Sequence, residues 1–206
     1  GFMAPALIDL PAIFVSVSYR LAPEHKFPAA LEDILSGLSW VYNNIAAHGG
    51  NPDRLFMGGW SAGGTLAALA TVRRDLYSDF ELPEDVIKGC LATSTPYDHR
   101  VDKPPPGSTT ERLQRQLFTR PEHVEETSAM AYTAGLTTPF FISHGENDFP
   151  HVMATSRLMH EALTAQGTPS EYHVFPDFDH YENNLDQGQR GNEWVEIARR
   201  MMAETE

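Results

Sequence analysis

The chain has 206 residues, 41% of them hydrophobic and 21% charged, so it is long enough and apolar enough to fold around a core. Lys and Arg number 15 against 28 Asp and Glu, which gives a formal net charge of -13. A surface this acidic repels nucleic-acid phosphates and anionic lipids, so we expect neither nucleic acid nor a membrane as a partner. The single cysteine, Cys90, cannot form an internal disulfide, which favours a reducing, cytoplasmic location.

Strand and helix patterns alternate along the chain. A buried strand is predicted at residues 12–19, followed by an amphipathic helix at 29–48. Further strands are predicted at 54–58, 86–93, 139–143 and 171–175, and further helices at 65–74, 109–118, 152–166 and 189–203. This alternation predicts a three-layer α/β sandwich, in which a mainly parallel sheet of five strands lies between helices on both faces. No boundary divides the chain, so we expect a single domain over residues 1–206.

The sequence GWSAGG at residues 59–64 fits the pattern G-x-S-x-G between a predicted strand and a predicted helix. A sharp reversal from strand to helix puts Ser61 in a strained backbone conformation, and bulk at Gly59 or Gly63 would clash. The turn lifts the Ser61 hydroxyl clear at the carboxyl edge of the sheet, where the amide of Ala62 can bind a developing oxyanion. We therefore predict that Ser61 is a nucleophile; a glycine-rich turn with an incidental serine is the alternative.

Three longer segments accompany this turn: YRLAPEH at 19–25, FPAALED at 27–33 and GNPDR at 50–54. Together with the turn they resemble the α/β-hydrolase superfamily, and more closely esterases of the hormone-sensitive-lipase type and the related arylformamidase-like esterases. The resemblance runs from about Val15 to the C-terminus. It implies a catalytic triad of Ser, Asp and His in that chain order.

The resemblance implies that the acid follows the next-to-last strand and the histidine follows the last one, which gives Asp148 and His180. Both residues come after predicted strands, on the sheet edge that also carries Ser61. A serine hydroxyl needs an imidazole to take its proton, and the imidazole needs a carboxylate to hold its tautomer. Glu146 is the alternative acid.

The chain has nine histidines, so a chance match is a real alternative for any one of them. His173 falls inside a predicted strand and is interpreted as structural or solvent-facing. His144 and His151 flank the acid loop and are candidates to line the pocket. No metal-ligand spacing such as H-E-x-x-H occurs, so we expect neither a metal nor a cofactor.

The front of the sequence departs from the family pattern. Family members carry a His-Gly-Gly loop whose amides complete the oxyanion hole, after a strand that lies between the first two strands predicted here. This sequence shows neither, although Gly1 and Phe2 resemble the end of such a loop. We therefore expect a chain abridged at its N-terminus, with Gly1 close to Ser61. We also expect a gap of about 9–10 Å between the first two predicted strands unless another segment fills it.

These observations predict a serine carboxylesterase that cleaves small carboxylic esters through an acyl-enzyme. Ser61 attacks the carbonyl, His180 moves the proton, Asp148 orients His180, and the Ala62 amide supports the oxyanion. The alternatives are an arylformamidase, a feruloyl or acetyl ester hydrolase, and a non-catalytic receptor with the hydrolase fold. The expected partner is a small-molecule ester substrate, and the sequence leaves open whether the protein forms a homodimer.

Overall fold

Four parallel strands form the sheet in the computed structural model, which describes residues 11–100, 106–187, 189 and 191–205. In spatial and chain order they are β1 (Leu55–Trp60), β2 (Ile87–Thr93), β3 (Phe140–Asn147) and β4 (Ser170–Asp179). Each strand is parallel to its neighbour. Parallel strands end at the same edge of a sheet, so the residues that follow β1, β3 and β4 are brought toward one another.

Helices follow the strands in alternation. They are α1 (Ala29–Asn44), α2 (Ala62–Val72), α3 (Thr109–Leu117), the single turn α4 (His123–Glu126), α5 (Pro150–Ala165), α6 (His180–Gln187) and α7 (Glu193–Glu204), with 3-10 turns at Ile45–His48, Arg74–Phe80 and Ala129–Tyr132. Local chemistry sets some of these boundaries: Pro150 opens α5, and the Asn192 side chain accepts the Val195 N–H before α7. Within the described ranges, no helix combines the length and apolar character that crossing a bilayer requires.

Neighbouring residues on a strand pack against opposite helix layers. In β3, Phe140 and Ile142 belong to the larger core, which they share with α1, α2 and α5. Phe141, which lies between them in sequence, belongs to a smaller core with α7, where its ring lies 5.9 Å from that of Trp194. Helices therefore cover both faces of the sheet, which confirms the predicted three-layer α/β architecture.

Residues 12–19 do not form the predicted first strand, so the described sheet has four strands and not five. This segment runs beside α1, where Val17 Cγ1 lies 2.8 Å from the position that a Cβ on Gly37 would occupy. A β-branched run has strand propensity, but a strand also needs a neighbour to hydrogen-bond. Among the described residues, β1 pairs with β2 alone. Gly1, which was expected near Ser61, lies outside the described residues.

Two differences in element boundaries affect the site. Strand β4 extends to Asp179, four residues beyond its predicted end, because Asp179 pairs with Asn147 after an irregularity in the ladder. Helix α6 was not predicted, and it begins at His180 directly after that extension. The predicted helix at 29–48 continues as an α-helix only to Asn44, and its last four residues form a 3-10 turn.

The core can be tested with two leucines that differ in burial. Leu163 of α5 is fully buried, whereas Leu21 is 64% exposed. Leu163→Ala should lower the free energy of unfolding by about 2–5 kcal/mol because it leaves a cavity. Leu21→Ala, the same chemical change on the surface, should alter it by less than about 0.5 kcal/mol. Urea unfolding followed by circular dichroism measures both variants, and equal losses would contradict this packing.

Candidate active site

The chain turns sharply at Ser61, where β1 ends and α2 begins. Ser61 has φ 53° and ψ −120°, a conformation that residues with a side chain rarely adopt. Its N–H donates to the Thr93 carbonyl at 3.0 Å, and its carbonyl accepts the Thr65 N–H at 2.9 Å. The strained residue is thus fixed both to the end of β2 and to the first turn of α2.

Two glycines allow this turn through close approach. A Cβ on Gly59 would overlap the carbonyl carbon of Gly63, and a Cβ on Gly64 would overlap the Thr95 hydroxyl oxygen. A Cβ on Gly63 would meet no atom of the described residues within 4 Å. The prediction that a side chain would clash at both Gly59 and Gly63 is therefore right for Gly59 and wrong for Gly63. Gly64 is the second position at which a side chain would clash.

The structure brings together the three side chains predicted as a triad. His180 Nε2 lies 3.0 Å from Ser61 Oγ, and His180 Nδ1 lies 2.7 Å from Asp148 Oδ1. A carboxylate only accepts hydrogen bonds, so Nδ1 carries the proton and Nε2 accepts from the Ser61 hydroxyl. Ser61 follows β1, Asp148 follows β3, and His180 follows β4. The common edge of the parallel sheet is what makes these contacts possible.

The Asp148 carboxylate is buried and meets its partners through one oxygen. Oδ1 accepts from His180 Nδ1 and from the Phe149 backbone N–H, the latter at 2.7 Å. Oδ2 is buried and has no hydrogen-bond partner among the described residues. A buried carboxylate favours a positive charge nearby, so this arrangement stabilises His180 when its ring becomes protonated.

The start of α6, which carries His180, is held by two hydrogen bonds that sequence reasoning missed. Trp60 Nε1 donates to the His180 carbonyl at 3.0 Å. One turn further along α6, the buried Asn183 amide donates to Ser94 Oγ at 3.0 Å. Trp60 was visible as the variable residue of the GWSAGG motif, but Asn183 could be linked to the site only once α6 was known. Both bonds fix the start of α6, and with it the histidine, to the ends of β1 and β2.

The alternative acid does not reach the histidine. Glu146 is exposed, and its carboxylate accepts the Asp177 N–H at 3.1 Å. It therefore supports the turn at the end of β4, while Asp148 is the carboxylate in contact with His180. Glu146 and Asp148 therefore have different partners at the same edge of the sheet: the backbone of Asp177 and the ring of His180.

Two other histidines have structural surroundings. His144 is buried; its Nδ1–H donates to the Gly145 carbonyl at 2.8 Å and its Nε2 accepts from the Tyr172 hydroxyl at 2.6 Å. His144 therefore supports the acid loop from the protein interior. Its interpretation as a candidate to line the pocket is wrong. His173 Nε2 lies 3.5 Å from a carboxylate oxygen of Glu193 at the surface, in agreement with a structural interpretation.

Ala62 is the first residue of α2, so its N–H has no acceptor within the helix and lies at the positive end of the helix dipole. This placement suits the predicted oxyanion donor, whose role stays a prediction. In the described ranges, no three His, Cys, Asp or Glu side chains converge as metal ligands would.

Ser61 lies on a strained turn between a strand and a helix, and Asp148 and His180 follow two other strands at the same edge of the parallel sheet. This arrangement defines a class of site found in hydrolases. A family model described as the α/β-hydrolase fold matches residues 4–182, and the chain belongs to that family.

Individual relatives agree with the family assignment. The chain is 28% identical over 185 residues to esterase LipQ of Mycobacterium tuberculosis (strain ATCC 25618 / H37Rv), which covers 82% of this chain and 44% of LipQ. It is 50% identical over 70 residues to carboxylesterase NlhH of M. tuberculosis (strain CDC 1551 / Oshkosh), and this match covers 34% of this chain and 22% of NlhH. The fold is similar to that of an esterase from Pyrobaculum calidifontis, with a TM-score of 0.79, 23% identity, and coverage of 98% of this chain and 68% of that one. The chain spans less than half the length of these two curated relatives.

The glycine argument predicts opposite outcomes for two substitutions in one turn. Gly59→Ala forces the new Cβ into the Gly63 backbone, so it should lower the free energy of unfolding by about 1–3 kcal/mol or more. Gly63→Ala adds a methyl group that meets none of the described residues, and it does so in a helix, so it should leave that free energy unchanged or raise it by up to about 1 kcal/mol. Urea unfolding compares them, and a similar loss in both variants would refute the close approach at Gly59.

A second prediction concerns His99, which follows β2 and whose N–H donates to Ser128 Oγ. Burial lowers the pKa of His99 to about 4; Asp98 opposes this shift and His151 adds to it. In the unfolded chain the pKa returns to the usual value near 6.5. Between about pH 6.5 and 4 the unfolded state therefore binds a proton that the folded state does not, and stability falls as the pH drops through this window.

His99→Gln removes this titration. Its free energy of unfolding should decrease less than that of the wild type between pH 7 and pH 4.5, whatever its value at pH 7. Urea unfolding at several pH values gives the two slopes, and parallel slopes would show that His99 is protonated normally in the folded protein.

Proposed function

We propose that the protein is a serine carboxylesterase that cleaves small carboxylic esters. The observation that carries this proposal is the unbroken contact from Ser61 Oγ through the His180 ring to Asp148 Oδ1. The names of the relatives, esterase LipQ and carboxylesterase NlhH, support the same chemistry.

Acylation begins when the Ser61 hydroxyl gives up its proton. A serine hydroxyl is a weak nucleophile at neutral pH, and His180 Nε2 at 3.0 Å is placed to accept its proton as the oxygen attacks the ester carbonyl. The resulting imidazolium is stabilised by the buried Asp148 carboxylate. Negative charge moves onto the carbonyl oxygen, where the Ala62 amide at the start of α2 acts as one donor. A donor of this kind contributes roughly 10²–10³ in rate.

The same histidine completes both halves of the reaction. As the ester C–O bond breaks, His180 returns the proton from Nε2 to the leaving oxygen, and the alcohol departs from an acyl group bound to Ser61. Water then attacks the acyl carbon while His180 accepts one of its protons. When that proton passes to Ser61 Oγ, the carboxylic acid is released and the free serine is restored.

Kinetics of a serine variant test this proposal. Ser61→Ala should lower kcat for p-nitrophenyl acetate by about 10⁴-fold with the fold intact, because the nucleophile is lost. Ser36→Ala is the matched control, since Ser36 is exposed on α1 and its hydroxyl donates to the Glu32 carbonyl within the same helix. It should keep wild-type activity. A Ser61→Ala variant that retained half of the wild-type kcat would end the serine-hydrolase assignment.

A further inference from the structure

Among the described residues, three aromatic rings contact the His180 imidazole: those of Trp60, Phe149 and Tyr181. We call Phe149 and Tyr181 the aromatic rim. The ring centroids of Phe149, Trp60 and Tyr181 lie 4.6, 4.9 and 5.4 Å from that of His180. Trp60 has a structural role, because its Nε1 donates to the His180 carbonyl. The rings of the rim are instead open to solvent, since Phe149 is 44% exposed and Tyr181 is 59% exposed. Core packing does not explain two large, exposed rings beside one buried imidazole.

The chemistry of ester cleavage decides which part of a substrate meets the rim. The leaving oxygen takes its proton from His180 Nε2, so it must come within hydrogen-bond distance of that nitrogen. The acyl carbon, in contrast, is bonded to Ser61. The group attached to the leaving oxygen therefore lies beside the imidazole and the rings that contact it. A ring that contacts this imidazole is therefore better placed to meet the alcohol part of the ester than the acyl part.

Phe149 is held in place before any substrate arrives. Its N–H donates to Asp148 Oδ1 at 2.7 Å, and its ring stacks on that of His151 with 5.9 Å between centroids and 8° between planes. A ring that is already fixed loses little conformational freedom when a ligand binds to it, so more of the contact energy contributes to affinity.

Charge around the rim narrows the class of ligand. The Tyr181 N–H donates to Asp179 Oδ1, and the exposed Glu182 carboxylate accepts the Asp179 N–H. Two carboxylates next to Tyr181 repel an anionic group, so the alcohol part that binds here is uncharged or cationic.

Resting on the proposed function, we propose that Phe149 and Tyr181 bind an aromatic ring in the alcohol part of the substrate, so that the enzyme prefers uncharged esters of aromatic alcohols. Aromatic rings attract one another in offset-stacked and edge-on arrangements beyond the effect of area alone. Within the rim, the Phe149 ring is stacked on that of His151, and the Tyr181 ring lies edge-on to that of His180.

Two acetate esters isolate this effect in the full-length protein. Benzyl acetate and cyclohexylmethyl acetate share the acyl group and have alcohol parts of similar size, but only benzyl is aromatic. The wild type should show the higher kcat/KM for benzyl acetate. Phe149→Leu should reduce the ratio of the two kcat/KM values about fivefold, the range expected for an aromatic pair. Phe149→Tyr keeps a ring and should retain the wild-type ratio.

Further variants keep the test decisive. Tyr181→Leu changes the other exposed ring and should also reduce the ratio, which gives a readout if Phe149→Leu does not fold. Phe14→Leu is the matched control, since Phe14 is 43% exposed in the segment beside α1, and it should not change the ratio.

The outcomes separate the two proposals. Equal kcat/KM for both esters in the wild type, or an unchanged ratio in Phe149→Leu and Tyr181→Leu, overturns the aromatic preference and leaves the esterase proposal standing. A wild type that hydrolyses neither ester nor p-nitrophenyl acetate overturns the esterase proposal, and the aromatic preference with it.

Discussion

The close approach of Gly59 to the backbone of Gly63 is the constraint on which the site depends. Because Gly59 has no side chain, the chain can leave β1, place Ser61 at φ 53° and start α2 without an intervening loop. The bond from the Ser61 N–H to the Thr93 carbonyl holds this strained residue against β2. A side chain at Gly59 would push α2 away from β1 and move the Ser61 hydroxyl relative to its base.

The base depends in turn on the edge of the parallel sheet. His180 starts α6 immediately after β4, and Trp60 and Asn183 tie that start to the ends of β1 and β2. Asp148 comes from the end of β3 and is buried against the imidazole. Three strands therefore supply the line of hydrogen bonds from Ser61 to Asp148, and the end of β2 holds Ser61 and α6 in place beside it. Such a line is preorganised, because each side chain is positioned by an element with its own place in the core.

Much of this arrangement could be predicted from the sequence. The alternation of strand and helix patterns indicates the α/β layers. The resemblance to the α/β-hydrolase superfamily implies which acid and which histidine join Ser61, and the position of Asp148 and His180 after predicted strands agrees with it. What could not be predicted depends on contacts between distant segments. The pattern at residues 12–19 reports local apolarity, whereas a strand needs a partner, and Gly64 is small because of Thr95, which lies beyond the next strand. Helix α6 was not predicted, so nothing in the sequence indicated the bond from Asn183 to Ser94.

The central claim is that His180 activates Ser61, and covalent labelling tests it most directly. The full-length protein is treated with a fluorophosphonate, which reacts with activated serines, and the modified peptide is found by mass spectrometry after digestion. The account predicts modification of Ser61 in the wild type and a large loss of labelling rate in His180→Gln, a variant with an uncharged side chain that cannot take the proton. Absence of label in the wild type, label on another serine, or an unchanged rate of Ser61 labelling in His180→Gln would contradict it.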